Sequence, residues 1–330
     1  MSRSLRFMPV TKTERRVATA LALEPGGPPT AQARIAGQVI KALLKTGWRC
    51  SADSPAGLLR IQRITALAGG AQQVPRGVEI TPEDFGRFSA EWVRAGVPDE
   101  RRVLLYFHGG GYFFGSPRLY RPFSWRLSAA TARPVLLVDY RLCPQHTPAD
   151  ALEDALTVYE ALLDRGYDAG DIVVGGDSAG GHLTMSLLLE LKRRGRPLPR
   201  AAVCLSPWVD LTSASESYLG NRRSDALIPA DRLAWLGGYY TEGKDAGDPL
   251  FAPLRADLTG LPPLLLVASS TEILRDEVQD LAVRAGAAGV RVVHHEWDGL
   301  VHVFPVFADF IPEGRAAFRH IAEFIRGAEG

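Results

Sequence analysis

The sequence predicts an α/β fold with a mostly parallel sheet, and two observations carry that prediction. From residue 103 to the carboxyl end, short apolar runs alternate with segments of helical period, a pattern that builds βαβ units. Two of those runs end in glycine-rich turns, His108-Gly109-Gly110-Gly111-Tyr112 and Gly176-Asp177-Ser178-Ala179-Gly180-Gly181. Both turns then fall at the carboxyl ends of strands, where open α/β sheets place their ligand crevice.

Taken in order, the chain opens with helical segments. Across 30–46 the residues Ile35, Val39, Ile40, Leu43 and Leu44 share one helical face, which must bury itself on something. A cap over the crevice is the expectation. A first pair of strands is placed within 59–66 and 77–95. Strand 103–107, a helix near 119–131, strand 134–138, helix 150–164, strand 171–175, helix 179–194 and strand 201–205 follow. The stretch 211–245 breaks this rhythm. It is polar at first, then carries a helical segment at 231–240 with Leu233, Leu236 and two tyrosines, and it reads as a second part of the cap. Strand 264–269, helix 274–288, strand 290–297 and helix 313–327 complete the core. Residues 1–55 and 211–245 are thereby assigned to a helical cap, and 56–210 and 246–330 to the α/β core.

The turn around Ser178 has the form Gly-x-Ser-x-Gly. Side chains at Gly176 and Gly180 would collide with the neighbouring strand and helix, and the serine is held in a strained elbow with its Oγ exposed. By itself the pattern is weak, arising by chance in roughly one chain in six of this composition. Its context is stronger: the apolar run Ile172-Val173-Val174 precedes it, and a helix through Leu183, Leu187, Leu188 and Leu191 follows. Three successive glycines at 109–111 cost backbone entropy, so something must approach the main chain closely there. In acyl transfer that something is an oxyanion. Gly110 and Gly111 are favoured as N–H donors together with Ala179, with Gly109 shaping the turn.

The two turns together resemble the hormone-sensitive-lipase family of α/β-hydrolases, which includes the bacterial family IV esterases. Asp139-Tyr140-Arg141-Leu142-Cys143-Pro144 is similar to the family's Tyr-Arg-Leu-Ala-Pro segment, with cysteine in place of alanine. Leu205-Ser206-Pro207-Trp208-Val209-Asp210-Leu211 resembles its Ser-Pro-Trp stretch, and Asp248-Pro249-Leu250-Phe251-Ala252-Pro253-Leu254 precedes the acid strand as in relatives. The resemblance covers about residues 75–325; residues 1–60 match only as a helical region. It implies the α/β-hydrolase fold: a mostly parallel eight-stranded sheet flanked by helices, with a helical cap. It also implies a serine carboxylesterase acting on short- to medium-chain esters, and a homodimer through edge strands.

A serine hydroxyl needs a base within hydrogen-bond reach. Of seven histidines, His182 lies one turn past Ser178 and faces off the elbow, as a packed or surface residue. His108 opens the glycine loop and holds its shape, and His146 sits in a polar loop. His294 and His295 alternate in a strand, one facing each side of the sheet, and His320 belongs to the last helix. His302 remains, in the loop after the final strand, where this fold places its base. Relatives carry glycine or proline near this histidine, whereas this chain has Leu300-Val301. The acid follows strand 264–269. In the register of the family's acid-x-Leu-x-Asp motif it is Glu272, 30 residues before His302, with Asp276 as the alternative. Asp276 falls nearer a helix start, where a carboxylate meets free N–H groups.

With 330 residues, 46% hydrophobic, 23% charged and net charge +1, the composition gives no reason to expect nucleic acid or an anionic membrane as partner. Three scattered cysteines, Cys50, Cys143 and Cys204, do not make a disulfide framework, and no Cys/His cluster has metal-ligand spacing. No cofactor is expected. The basic start Met1–Arg6 imitates a signal peptide, but Lys12, Glu14, Arg15 and Arg16 interrupt it and the apolar stretch 17–23 is short, so a cytoplasmic protein is expected. Tyr112, Phe113 and Trp208 are candidate substrate-lining residues, set against a plain core role. A lactonase, amidase or small-molecule deacetylase would use the same residues. A non-catalytic small-ligand receptor on this fold lacks the histidine that His302 supplies here.

Overall fold

Five successive strands from residue 103 onward are apolar enough to be buried on both faces, and that fixes the architecture. The computed structural model describes residues 27–49, 53–69, 74–212, 215–245 and 247–329. Residues 1–26 of the expected cap, and Cys50, lie outside the described residues. Strands β1 (Glu79–Asp84), β2 (Ser89–Arg94), β3 (Val103–Phe107), β4 (Val135–Asp139), β5 (Ile172–Asp177), β6 (Ala201–Leu205), β7 (Leu264–Ser269) and β8 (Val292–Trp297) form one sheet. Its order is β1-β2-β4-β3-β5-β6-β7-β8. The hairpin β1–β2 and its junction with β4 are antiparallel; every pairing from β4 to β8 is parallel.

Each buried strand feeds two cores by its period of two. On β3, Leu104 and Tyr106 enter one cluster and Val103, Leu105 and Phe107 the other. The first cluster lies under α3 (Pro117–Thr131) and α9 (Pro312–Glu329), where Phe123, Phe318, Ile321, Phe324 and Ile325 are buried. Full burial of such a side chain contributes about 1.5–3 kcal/mol. The second cluster lies under α4 (Pro148–Asp164), α5 (Ala179–Arg193) and α8 (Arg275–Ala287). A capping box between Thr147 and Asp150 starts α4. Among the described residues no helix is long and apolar enough to cross a membrane.

Two expectations need correction. The stretch 59–66, expected as a strand, belongs to helix α2 (Pro55–Gly69). Both early strands instead lie within 77–95 as the β1–β2 hairpin. In that helix Leu58 is fully buried and Ile61 packs against the core, three residues on, while Ile64 and Leu67 face outward. A short apolar run cannot distinguish the two readings by itself. The second correction concerns α1 (Ala31–Arg49). Its apolar face is not wholly buried: Ala33 is, and Ile40 packs on the core, but Ile35 and Val39 are 66% and 52% exposed.

The inserted stretch forms a short helix α6 (Glu216–Gly220) and α7 (Ala230–Thr241). Helix α7 buries Leu233, Leu236 and Tyr240, so the residues that predicted it are those that seat it.

Candidate active site

The β5–α5 turn places Ser178 at φ 53°, ψ −120°, a conformation costing about 1–3 kcal/mol for a residue with a side chain. Its neighbours hold it there. Ser178 N–H donates to Leu205 O at 2.9 Å, and Ser178 O accepts from Trp208 N and His182 N, each at 3.1 Å. Helix α5 can start this close to β3 only because residue 180 is glycine: a Cβ there would stand 2.0 Å from Phe107 O. Ser178 itself is partly exposed.

Across from the elbow, the 109–111 loop is pinned from below and from both sides. Gly109 is buried and its N–H donates to Asp177 Oδ1 and to Tyr120 Oη, at 3.0 Å each. Asp177, the residue before the elbow serine, also accepts from Tyr106 Oη (3.1 Å) and Tyr120 Oη (2.7 Å). Burial lifts its carboxyl to about 6 against the pull of those tyrosines. Tyr140 Oη donates to His108 O at 2.6 Å, and Tyr240 Oη, from α7, donates to Gly111 O at 2.5 Å. Gly110 and Gly111 adopt φ 121° and 58° and are partly exposed. Among the described residues, no acceptor takes up the N–H of Gly110, Gly111 or Ala179. His108 is driven down to about 4 by burial, and is neutral.

His182 is packed off the elbow, as expected. It is fully buried, with Nδ1 2.7 Å from Tyr112 Oη, and so ties the start of α5 to the end of the glycine loop. Tyr112, Phe113 and Trp208 are all buried in the core, at 1%, 1% and 0% exposure.

The expected base and acid come from the far half of the sheet. His302 Nδ1 lies 2.8 Å from Glu272 Oε2, both side chains almost wholly buried. The other carboxylate oxygen, Oε1, accepts from Ser269 N–H (2.7 Å) and Ser206 Oγ (2.8 Å). Burial pulls the imidazole down, but the charge and hydrogen bond of Glu272 outweigh it and raise His302 above the ordinary value. Among the described residues, His302 Nε2 is buried without a hydrogen-bond partner. The loop carrying it is fixed by Ser269, whose hydroxyl bridges Leu300 N and Leu300 O at 2.9 and 2.8 Å. Val301 in that loop packs beneath α1, 3.2 Å from where a Cβ on Gly37 would stand.

Asp276 is not brought to His302. Its Oδ2 accepts from Ser217 N–H at 2.8 Å, and Ser217 Oγ accepts from Asp276 N–H at 3.1 Å, so this carboxylate joins α8 to α6. Asp177, Ser206, Ser269 and Asp225 brace the candidate site and were not singled out from the sequence. Asp225 accepts from Ile273 N–H at 3.0 Å, beside the acid. Asp177 was inside a recognised motif and Ser206 inside another, and that was the available signal. Among the described residues no group of three or more His, Cys, Asp or Glu side chains could hold a metal ion. A cavity of about 630 Å³ opens between α2, the β1–β2 turn and residues 139–146, walled by Gln62, Phe88, Phe114, Asp139 and Arg141 but by none of Ser178, Glu272 or His302.

Residues 104–306 match the family described by the α/β hydrolase fold. An acetyl-hydrolase of Streptomyces hygroscopicus is 39% identical over 80% of this chain and 87% of its own length. A solved esterase of the bacterial hormone-sensitive lipase family superposes with a TM-score of 0.82 at 35% identity, covering 89% of this chain and 98% of that one. The chain belongs to the hormone-sensitive-lipase family of α/β-hydrolases. An esterase of Acinetobacter venetianus is 35% identical over 75% of this family member and 82% of its own length.

Proposed function

We propose that the chain cleaves short- to medium-chain carboxylic esters through an acyl-enzyme, with Ser178 as nucleophile, His302 as base and Glu272 as acid. Its family makes it a carboxylic ester hydrolase; the residues and the substrate class are the proposal. The observation that carries it is the buried Glu272–His302 pair at 2.8 Å, set at the same sheet end as the strained Ser178 turn. A histidine raised by a buried carboxylate is a base suited to a serine hydroxyl. In the first half-reaction His302 takes the Ser178 proton as Oγ adds to the carbonyl, and the oxyanion is met by N–H groups of Gly110, Gly111 and Ala179. His302 then protonates the departing alcohol. Water then adds to the acyl-enzyme as His302 takes its proton, and His302 returns that proton to Ser178 Oγ as the acid product departs, restoring the serine. Glu272 holds the imidazole tautomer throughout. The acetyl-hydrolase relative supports a short acyl group.

The test is hydrolysis of p-nitrophenyl esters of graded acyl length by wild type, Ser178→Ala, His302→Ala, Glu272→Ala and Asp276→Ala. Loss of roughly 10⁴-fold or more is expected for the serine and histidine variants. A smaller but large loss is expected at Glu272, and near-wild-type rates at Asp276 if the variant folds. A dead Asp276 variant beside an active Glu272 one would move the acid; a wild type inert to every ester sends the search to lactones, amides and acetylated small molecules. Helices α1 and α7 as parts of a cap, a cytoplasmic location, and a homodimer through an edge strand, β1 or β8, belong to the same proposal. A monomeric mass by sedimentation sinks the dimer.

A further inference from the structure

Ser206, the residue after β6, adopts φ 46°, a backbone conformation that glycine holds with less strain. It is 1% exposed, so its hydroxyl must find partners inside the protein. It finds two from distant parts of the chain. Ser206 Oγ donates to Glu272 Oε1 at 2.8 Å and accepts from Val303 N–H, the residue after His302, at 3.2 Å. With Ser269 N–H also on Oε1, two donors occupy one carboxylate oxygen and Oε2 is left facing His302 Nδ1. From these bonds we infer that Ser206 is a positioning residue of the acid–base pair, fixing the rotation of the Glu272 carboxylate and, through Val303, the seat of His302. This rests on the triad assigned above.

The role has an electrostatic consequence. A hydroxyl donating to Oε1 draws negative charge from the carboxylate; without it more charge stays on Oε2 and the imidazolium is held more tightly. Asp225, from the segment between α6 and α7, and Asp177, from β5, also act on His302, and among the described residues neither is hydrogen-bonded to Ser206. Removing the hydroxyl therefore raises the pH at which His302 titrates.

Two variants separate hydroxyl from backbone. Ser206→Ala keeps the Cβ, and Ser206→Gly also relieves the positive φ. Both are expected to lower kcat on a p-nitrophenyl ester roughly 10- to 100-fold with KM changed less than about threefold. Both should also move the His302 ring titration, followed by NMR, upward by about half a pH unit or more. Wild-type kcat in the glycine variant overturns the inference, and so does a kcat loss with the titration unmoved, because a merely structural role would leave it in place. Should one variant fail to fold, the other carries the test. If wild type cleaves no ester, the esterase reading fails by itself and the titration alone decides for Ser206.

Discussion

The glycine loop and helix α1 both border the carboxyl ends of the strands, yet they are held by opposite means. The loop is over-determined: Gly109 N–H, His108 O and Gly111 O are each fixed by a buried side chain, from Asp177, Tyr120, Tyr140 and Tyr240. Among the described residues, helix α1 is held at its start and along one contact line. Thr30 meets Glu313, Lys41 donates to Arg223 O at 2.7 Å, and Gly37 lies on Val301, while Ile35 and Val39 face outward. A developing oxyanion rewards donors that do not move, whereas a covering helix need only exclude water and select a substrate. On the proposed roles, the difference is one of function.

The sharpest way to break the comparison is Gly110→Ala. A Cβ there would stand 2.0 Å from Phe114 O at a φ of 121°, so the loop must move, and kcat should fall roughly 10²–10³-fold. A full rate in steady-state kinetics would remove Gly110 from the oxyanion site. Next comes Asp177→Asn, which turns one of its acceptor atoms into a donor facing a tyrosine hydroxyl or Gly109 N–H. Urea titration should register about 1–3 kcal/mol less stability, with kcat down roughly tenfold. Unchanged stability would mean the loop is held without that carboxylate.

The pH profile sharpens the comparison from the other side of the site. As the proposed base His302 must be neutral to accept a proton, and Glu272 raises its titration above the ordinary 6.5. Activity should therefore be lost as pH falls through a value above 6.5, in the acid limb of kcat/KM. An acid limb below that value contradicts the pairing. The smallest effect is expected on α1. Ile35→Ser and Val39→Ser should change stability by about 0.5 kcal/mol or less, since both are already exposed. If α1 covers substrate, KM for longer acyl chains should shift more than KM for acetate esters; equal KM values across the series would separate α1 from the substrate.

Strands 103–107, 201–205 and 264–269 were legible to the residue because a strand buried on both faces must be apolar throughout, and each is bounded by polar or turn residues. Helix α2 was not, since its apolar run suits either period and only the packing of Leu58 and Ile61 chose between them. The exposed face of α1 was illegible for a related reason: an amphipathic pattern declares a face, not what covers it. The partner of His182 was illegible because a helical wheel gives direction from the helix axis, whereas Tyr112 reaches it from a loop.

By itself the sequence determined the alternation that makes the parallel sheet, the strained turn at Ser178, the glycine loop, and the short lists from which acid and base must come. Those are local properties, set by period, by glycine's backbone freedom and by chain order. The tertiary structure decided the rest: that Glu272 and not Asp276 meets His302, that Asp177 and Tyr120 turn Gly109 inward, and that Ser206 joins the acid to the base loop. Each of those contacts links residues from 11 to 97 positions apart. A bond of that kind depends on how strands are ordered in the sheet, and no window of sequence contains it.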